Sequence, residues 1–240
     1  MSNYSKITYN SPNLIKRLSH RSRFTHYGNS IYNSSKKYDK KLKFLDYGAG
    51  DGFMFIHLKK YSNINLSLFG YEPSEGQYND LKKNLEEHNL NVCCLQELDE
   101  EKFDIILCSE VLEHFTDENV VINLKKITKI LNKQGTLIVS VPLETGLSGL
   151  LKNLVRVLIR ASHVGLTLNT LIKCFFDSPI PRSNDEYINS HIGFSSKKFE
   201  RILLKSGLKI SKKYYSPLPV LKYLLNSQVI FECHHQKTTC

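Results

Sequence analysis

"LDYGAGDG", residues 45–52, sets three glycines at alternating positions behind a hydrophobic run, with Asp46 and Asp51 on either side of the tight stretch. Glycine removes the Cβ and tolerates positive φ, so a glycine-rich turn between a strand and a helix lets a polar or charged ligand approach the backbone. A dinucleotide turn reads G-x-G-x-x-G, its third glycine letting the helix pack close while a pyrophosphate sits on the helix end. Here the glycines fall at Gly48, Gly50 and Gly52, and Phe53 follows. That spacing argues against NAD. Carboxylates beside the turn repel a pyrophosphate and suit a sulfonium or ammonium cation.

On either side of this turn, short β-rich runs alternate with helical patterns. "KLKFLDY", "LSLFGYEP", "NVCCL", "FDIILCSEV" and "TLIVSVP" read as strands; "GFMFIHLKKY", "SEGQYNDLKKNLEEHN" and "DENVVINLKKITKIL" read as helices between them. Ser74 with Gln77 three residues on has capping-box spacing. Later, "FSSKKFERILLKSG" is an amphipathic helix with Ser195 as N-cap and Gly207 as its stop, and "LKISKKYY" and "SQVIFEC" close the set of strands. Apolar runs separated by amphipathic helices imply a Rossmann-like, doubly wound α/β fold: seven mostly parallel strands with helices on both faces. Residues 143–190 read as a helical insert after strand five, residues 41–240 as the ligand-binding domain, and residues 1–40 as a basic, partly helical leader.

Ligands of such sheets bind at the carboxyl ends of the strands. Glu72 in "FGYEP" ends the second strand at the place where an acid meets a ribose diol, two hydroxyls matching two carboxylate oxygens. A ribose, a positive centre and no pyrophosphate together describe S-adenosylmethionine (SAM). In "FLDYGAGDG", "GYEP", "FDIILCSEVLEHF" and "LNKQGTLIVSVP", taken in order, the chain resembles the class I SAM-dependent methyltransferases that modify glycans, lipids and quinones. The resemblance implies that Asp46, Gly48, Gly50 and Gly52 line the methionine part of SAM and that Glu72 takes the ribose. It further implies that Gln96 and Glu97 lie near the adenine and Ser109 and Glu110 on the pocket floor.

Methyl transfer relies on positioning, and a base is needed only where the acceptor must lose a proton, as a hydroxyl does. "EVLEH" sets Glu110, Glu113 and His114 on one face of any helical turn. The segment resembles one that binds a divalent metal in some quinone-biosynthesis O-methyltransferases, although a structural histidine without metal is the favoured reading. Glu113, His114 and His191, the last in "NSHIGFS", are the candidate catalytic groups; histidine is the side chain suited to a base near neutral pH, and His191 equally suits pinning its loop. The expected reaction is O-methylation of a sugar or quinone-like ring on a small or lipid-linked acceptor. Methylation of RNA and a non-catalytic binding role are the alternatives; no N-P-P-Y-like tetrapeptide follows strand four, where "SEVL" stands.

The 240 residues are 41% hydrophobic, enough for one sizeable core, and carry a net charge of +10. That charge suits an anionic partner without choosing among nucleic acid, phosphorylated ligand and membrane. In the insert, Lys152, Arg156 and Arg160 recur opposite Leu147, Leu150, Leu151, Leu154 and Leu158. This is the form of a lid helix with its leucines inward, or of a peripheral membrane contact over residues 147–160. Six cysteines without a C-x-x-C pair point to a reducing compartment and no structural zinc, and "CHH" at 233–235 reads as a frayed tail. With no apolar leader and no run long enough to span a bilayer, the expected location is cytoplasmic, with the inner membrane surface as a docking place.

Overall fold

The computed structural model describes residues 9–62, 64–98, 100–158, 168–176, 188, 191, 193–222 and 226–236. Strands β1 (Leu42–Tyr47), β2 (Leu66–Tyr71), β3 (Cys93–Leu95), β4 (Phe103–Ser109), β5 (Leu131–Pro142), β6 (Leu208–Ser216) and β7 (Gln228–His235) form one sheet in the order β3-β2-β1-β4-β5-β7-β6. The first five pair in parallel, and β7 runs antiparallel to both its neighbours. From β1 the chain winds outward one way through β2 and β3, then returns to β4 and winds the other way. The crevice where strand order reverses therefore opens at the carboxyl ends of β1 and β4.

Alternation along the strands divides the core. Leu45, Ile106, Leu137 and Phe231 pack against α4 (Asp117–Ile130) and α7 (Ser196–Lys205), through Leu124, Ile127, Phe199 and Leu203. Phe44, Ile105, Ile138 and Ile230 face the opposite layer of α1 (Leu14–Ser35), α2 (Phe53–Leu58) and α3 (Glu75–Glu87). Within that layer α1 enters the core itself, since Tyr27 and Ile31 are fully buried. The hydroxyl of Ser30 on α1 donates to Glu232 of β7 at 2.5 Å.

Helix ends follow the side-chain chemistry in most places. Thr116 accepts from the Asn119 amide at 3.3 Å, with Asp117 and Glu118 at the positive end of α4. Ser195 caps α7 by accepting from Lys198 N at 3.2 Å, and Gly207 stops it with φ of +78°. Ser74 departs from the capping-box expectation. Its side chain makes no cap bond, its own amide donates to Glu72 at 3.0 Å, and Gln77 lines the cavity beside the glycine turn.

Two further expectations are corrected. The "CHH" segment is the end of β7 and not a frayed tail: Cys233 is buried, His234 Nδ1 meets the Gly135 carbonyl at 2.9 Å, and His235 Nε2 meets that of Leu131 at 3.2 Å. Within the insert, α5 (Gly146–Leu158) packs beside α6 (Leu168–Phe175). The first turns of α5 lie opposite to the orientation of a lid helix with its leucines inward. Ser148 and Asn153 are buried, and Lys152 turns inward to the carbonyls of Leu143 (2.7 Å) and Ser227 (3.0 Å) and to Glu144 (3.1 Å). Leu147 and Leu151 face solvent, at 38% and 37% exposure. The side chains of Leu154 to Arg160 lie outside the described residues. Among the described residues, no helix is long and apolar enough to cross a membrane.

Candidate functional site

The glycine turn leaves β1 directly into α2. Gly48 N and Ala49 N both donate to the Tyr71 carbonyl, at 2.8 and 2.9 Å, which ties the turn to the end of β2. Gly48, Gly50 and Gly52 all have positive φ. A Cβ at Gly48 would stand 2.5 Å from Val111 Cγ2, and one at Gly52 would stand 2.6 Å from Leu81 Cδ1. At Gly50 a Cβ would meet only Gln77 Oε1, at 3.6 Å, within the cavity lining.

Glu72, at the end of β2, is 5% exposed and braces this turn. Its two carboxylate oxygens accept from Gly50 N and Ser74 N, each at 3.0 Å. A carboxylate offers about four acceptor positions, so two remain for a diol. Asp46 is nearly buried, and burial, followed by the charges of Glu72 and Asp51, pushes its pKa well above the ordinary carboxylate range. Three acids crowded around one turn repel each other until a cation lies among them. This is the electrostatic setting that a sulfonium and an ammonium group require.

The cavity holds about 1030 Å³ and is lined by Asp46, Gly48, Gly50, Glu72, Ser109 and Glu110 from the sequence expectations. Gly52 stands behind the turn, facing Leu81. Gln96 and Glu97 follow β3 as exposed residues outside the cavity lining.

One wall comes from α1, whose role sequence reasoning missed. His20, Arg23, Phe24 and Tyr27 all face the cavity. Tyr27 and Ser140 lie 2.5 Å apart, Ser109 donates to Tyr27 at 2.8 Å, and Ser140 donates to Glu110 at 3.4 Å. One consistent hydroxyl chain thus runs from Ser109 through Tyr27 and Ser140 to Glu110. Arg23 Nη1 pairs with Glu110 at 3.4 Å, and its Nη2 lies 2.7 Å from His20 Nδ1. A guanidinium only donates, so that histidine nitrogen accepts. Burial, with Arg23 and Lys16 adding repulsion, takes the His20 pKa down to about 3. Glu110 itself has φ of +56°, a left-handed conformation costly for a non-glycine residue.

This arrangement separates Glu110 from the two residues that spacing groups with it. Glu110 is turned to Arg23, while Glu113, His114 and His191 bring three ligand atoms within 4.8 Å of one another. The 3₁₀ turn Leu112–His114 sets Glu113 at 0% exposure and His114 at the cavity wall. His114 Nδ1 donates to the Ile188 carbonyl at 2.9 Å, and Ile188 N donates back to His114 O at 2.7 Å. With Nδ1 carrying the proton, Nε2 is the basic nitrogen. The His191 ring lies 4.9 Å from that of His114, centroid to centroid. A set of two imidazoles and one carboxylate fits zinc or another transition ion better than magnesium.

The switch-point crevice, the glycine turn without a pyrophosphate cradle and the acid cluster define a Rossmann-like enzyme of the class I methyltransferase type. A family model described as a methyltransferase domain matches residues 19–212, and the chain belongs to that family of methyltransferase domains. It is 31% identical over 104 residues to the ubiquinone biosynthesis O-methyltransferase of Bradyrhizobium diazoefficiens. That match spans 41% of this chain and only 39% of the relative's length. The fold is similar to that of magnesium protoporphyrin IX methyltransferase from Synechocystis PCC 6803, solved with bound SAH, with a TM-score of 0.62 at 13% identity over 97% of this chain and 92% of that one. Mitomycin 7-O-methyltransferase aligns with a TM-score of 0.57 at 16% identity, over 96% of this chain and 60% of that one.

Proposed function

We propose that this methyltransferase O-methylates a hydroxyl on a small or lipid-linked acceptor, with a sugar or quinone-like ring as the acceptor class. The observation that carries the reading is the Glu113–His114–His191 cluster, whose His114 lines the cavity. A hydroxyl must lose its proton as the oxygen is methylated, and the cluster gives that proton a place to go. The comparisons support the same chemistry: the curated relative is an O-methyltransferase of ubiquinone biosynthesis and a structural neighbour methylates mitomycin at oxygen.

SAM supplies an electrophilic methyl group on a sulfonium, so the new O–CH₃ bond forms as the S–CH₃ bond breaks and a neutral thioether leaves. Asp46 and the glycine turn hold the cationic amino-acid end, and Glu72 takes the ribose with the acceptor positions that Gly50 N and Ser74 N leave over. Arg23, which already faces a carboxylate in Glu110, holds the acidic end of the donor or of the acceptor. His191 or His114 Nε2 receives the acceptor proton, and the buried Glu113 carboxylate stabilises the imidazolium that results. The same three side chains are the ligands if a divalent metal takes part.

The test uses SAM with a dihydroxybenzene as acceptor probe. Glu113→Gln and His191→Gln should each lower kcat by about 10²- to 10⁴-fold, the usual contribution of general acid–base catalysis, while SAM affinity stays unchanged. Unaltered turnover in both variants would refute the assignment.

A further inference from the structure

The apolar side chains that α5 turns outward are part of a wider surface. Next to them, α6 exposes Ile172, Phe175 and, just past its end, Phe176 at 70% exposure. On the N-terminal turns of α1, Leu14 and Leu18 are more than half exposed. In the turn between β6 and β7, Leu218 and Val220 project, the latter at 91% exposure.

Hydrogen bonds gather α1, α5 and the β6–β7 turn at one end of the sheet, and α6 packs beside α5. Ser227, which opens into β7, receives the Lys152 ammonium of α5 on its carbonyl and meets Ser19 of α1 at 2.7 Å through its hydroxyl. Its amide donates to Ser216, the last residue of β6, at 2.8 Å. Nor is the exposure of Val220 that of a slack loop. Asn226, 1% exposed, accepts from Leu218 N at 2.6 Å and donates to the carbonyls of Leu218 (2.7 Å) and Lys222 (2.6 Å), which fixes the turn. α5 is likewise held with its polar side inward by Lys152, Ser148 and Asn153.

Charge selects the occupant. Neither α1, α5, α6 nor residues 217–227 contain a single aspartate or glutamate, whereas Lys16, Arg17, Lys173 and Lys222 stand among the apolar residues. A second copy of this chain would bring cations against cations, a costly juxtaposition. An apolar surface ringed by cations is complementary to a bilayer with anionic headgroups. We infer that this surface docks the enzyme peripherally onto anionic phospholipid, through α6, the first turns of α1 and α5, and the β6–β7 turn. The geometry also joins this surface to the site. The patch lies at the carboxyl end of β5 and β6, the end at which the cavity opens, and α1 runs from Leu14 and Leu18 in the patch to His20 and Arg23 in the cavity wall. A lipid-linked acceptor would thus reach the cavity without leaving the membrane surface.

The test is cosedimentation of the full chain with phosphatidylcholine vesicles, with and without added phosphatidylglycerol, alongside its oligomeric state by light scattering. The protein should sediment with the anionic vesicles and be released by salt. The double variant Ile172→Asp, Phe176→Asp should lower the vesicle partition coefficient about tenfold or more, as expected when two apolar side chains lose their burial. Ile122→Asp, which changes an exposed apolar residue of α4 outside the patch, should bind as the parent does. SAM binding in all three proteins confirms that they are folded. No sedimentation with anionic vesicles, equal sedimentation of the double variant, or a dimer that the double variant dissociates would each overturn the proposal. Docking needs no methyl transfer, so a vesicle result stands apart from the fate of the acceptor assignment.

Discussion

Replacing Glu72 with glutamine tests the coupling between the strand end, the glycine turn and the nucleoside. In the parent, one carboxylate oxygen accepts from Gly50 N and the other from Ser74 N, each at 3.0 Å. The amide keeps one oxygen but turns an NH₂ toward the other backbone N–H, so one charged hydrogen bond becomes a donor facing a donor. Gly50 is half-buried and Ser74 exposed, so water takes up part of that loss in the unliganded protein. Removing the Glu72 charge also relieves Asp46, whose pKa it raises. The unliganded protein should therefore lose only about 1 kcal/mol, the lower end for an unmade bond. With ligand bound, water is displaced and the ribose meets one oxygen in place of two. A hydrogen bond to a charged group contributes about 1.5–3 kcal/mol, so SAM affinity should fall about 10- to 150-fold. Urea unfolding gives the first quantity and calorimetry the second. A dissociation constant within about twofold of the parent, less than half a kcal/mol, in a protein of unchanged fold would refute the ribose assignment.

Gly52→Ala should destabilise the fold by about 2–4 kcal/mol, from the left-handed φ of +72° and from a Cβ set 2.6 Å from the buried Leu81; an unchanged urea midpoint would show that the turn relaxes freely. For pH dependence, burial brings the His57 pKa down to about 4 and that of His20 to about 3, both from 6.5. Each is neutral in the folded protein and takes a proton in the unfolded chain below 6.5. Stability from this source is intact above that pH and falls as the pH drops toward about 4. His57→Gln should flatten that slope in urea midpoints measured across the window, and a slope equal to the parent's would remove His57 from the account.

The parts of the fold that were legible in the sequence rest on local signals. Glycines at 48, 50 and 52 sit where backbone φ is positive, the apolar runs of β1, β4, β5 and β7 became strands buried on both faces, and Glu72 follows β2 beside the turn. What was missed depends on residues far apart in the chain. Basic and polar residues dominate α1, giving little sign that Tyr27 reaches Ser140, a partner 113 residues away. The same holds for α5. Its leucine stripe suggests an inward face, yet Lys152 finds the carbonyl of Ser227, 75 residues on, and that bond turns Leu147 and Leu151 outward. Of the "EVLEH" residues, spacing grouped Glu110 with Glu113 and His114; Arg23 draws Glu110 away, and His191 takes its place from a distant loop. The "CHH" segment looked like a tail for want of any local turn signal, and it is pairing with β5 and β6 that holds it in the sheet.

The most direct test of the central claim is calorimetric titration of the purified protein with SAM and with its demethylated product SAH, each in two buffers of different ionisation enthalpy. Both should bind one to one. Because the sulfonium and ammonium charges favour ionised Asp46, whose pKa is raised in the free protein, SAM should release more protons than the uncharged thioether of SAH. Binding of neither ligand by a folded sample would contradict the account, and equal proton release by the two would remove Asp46 from the donor site.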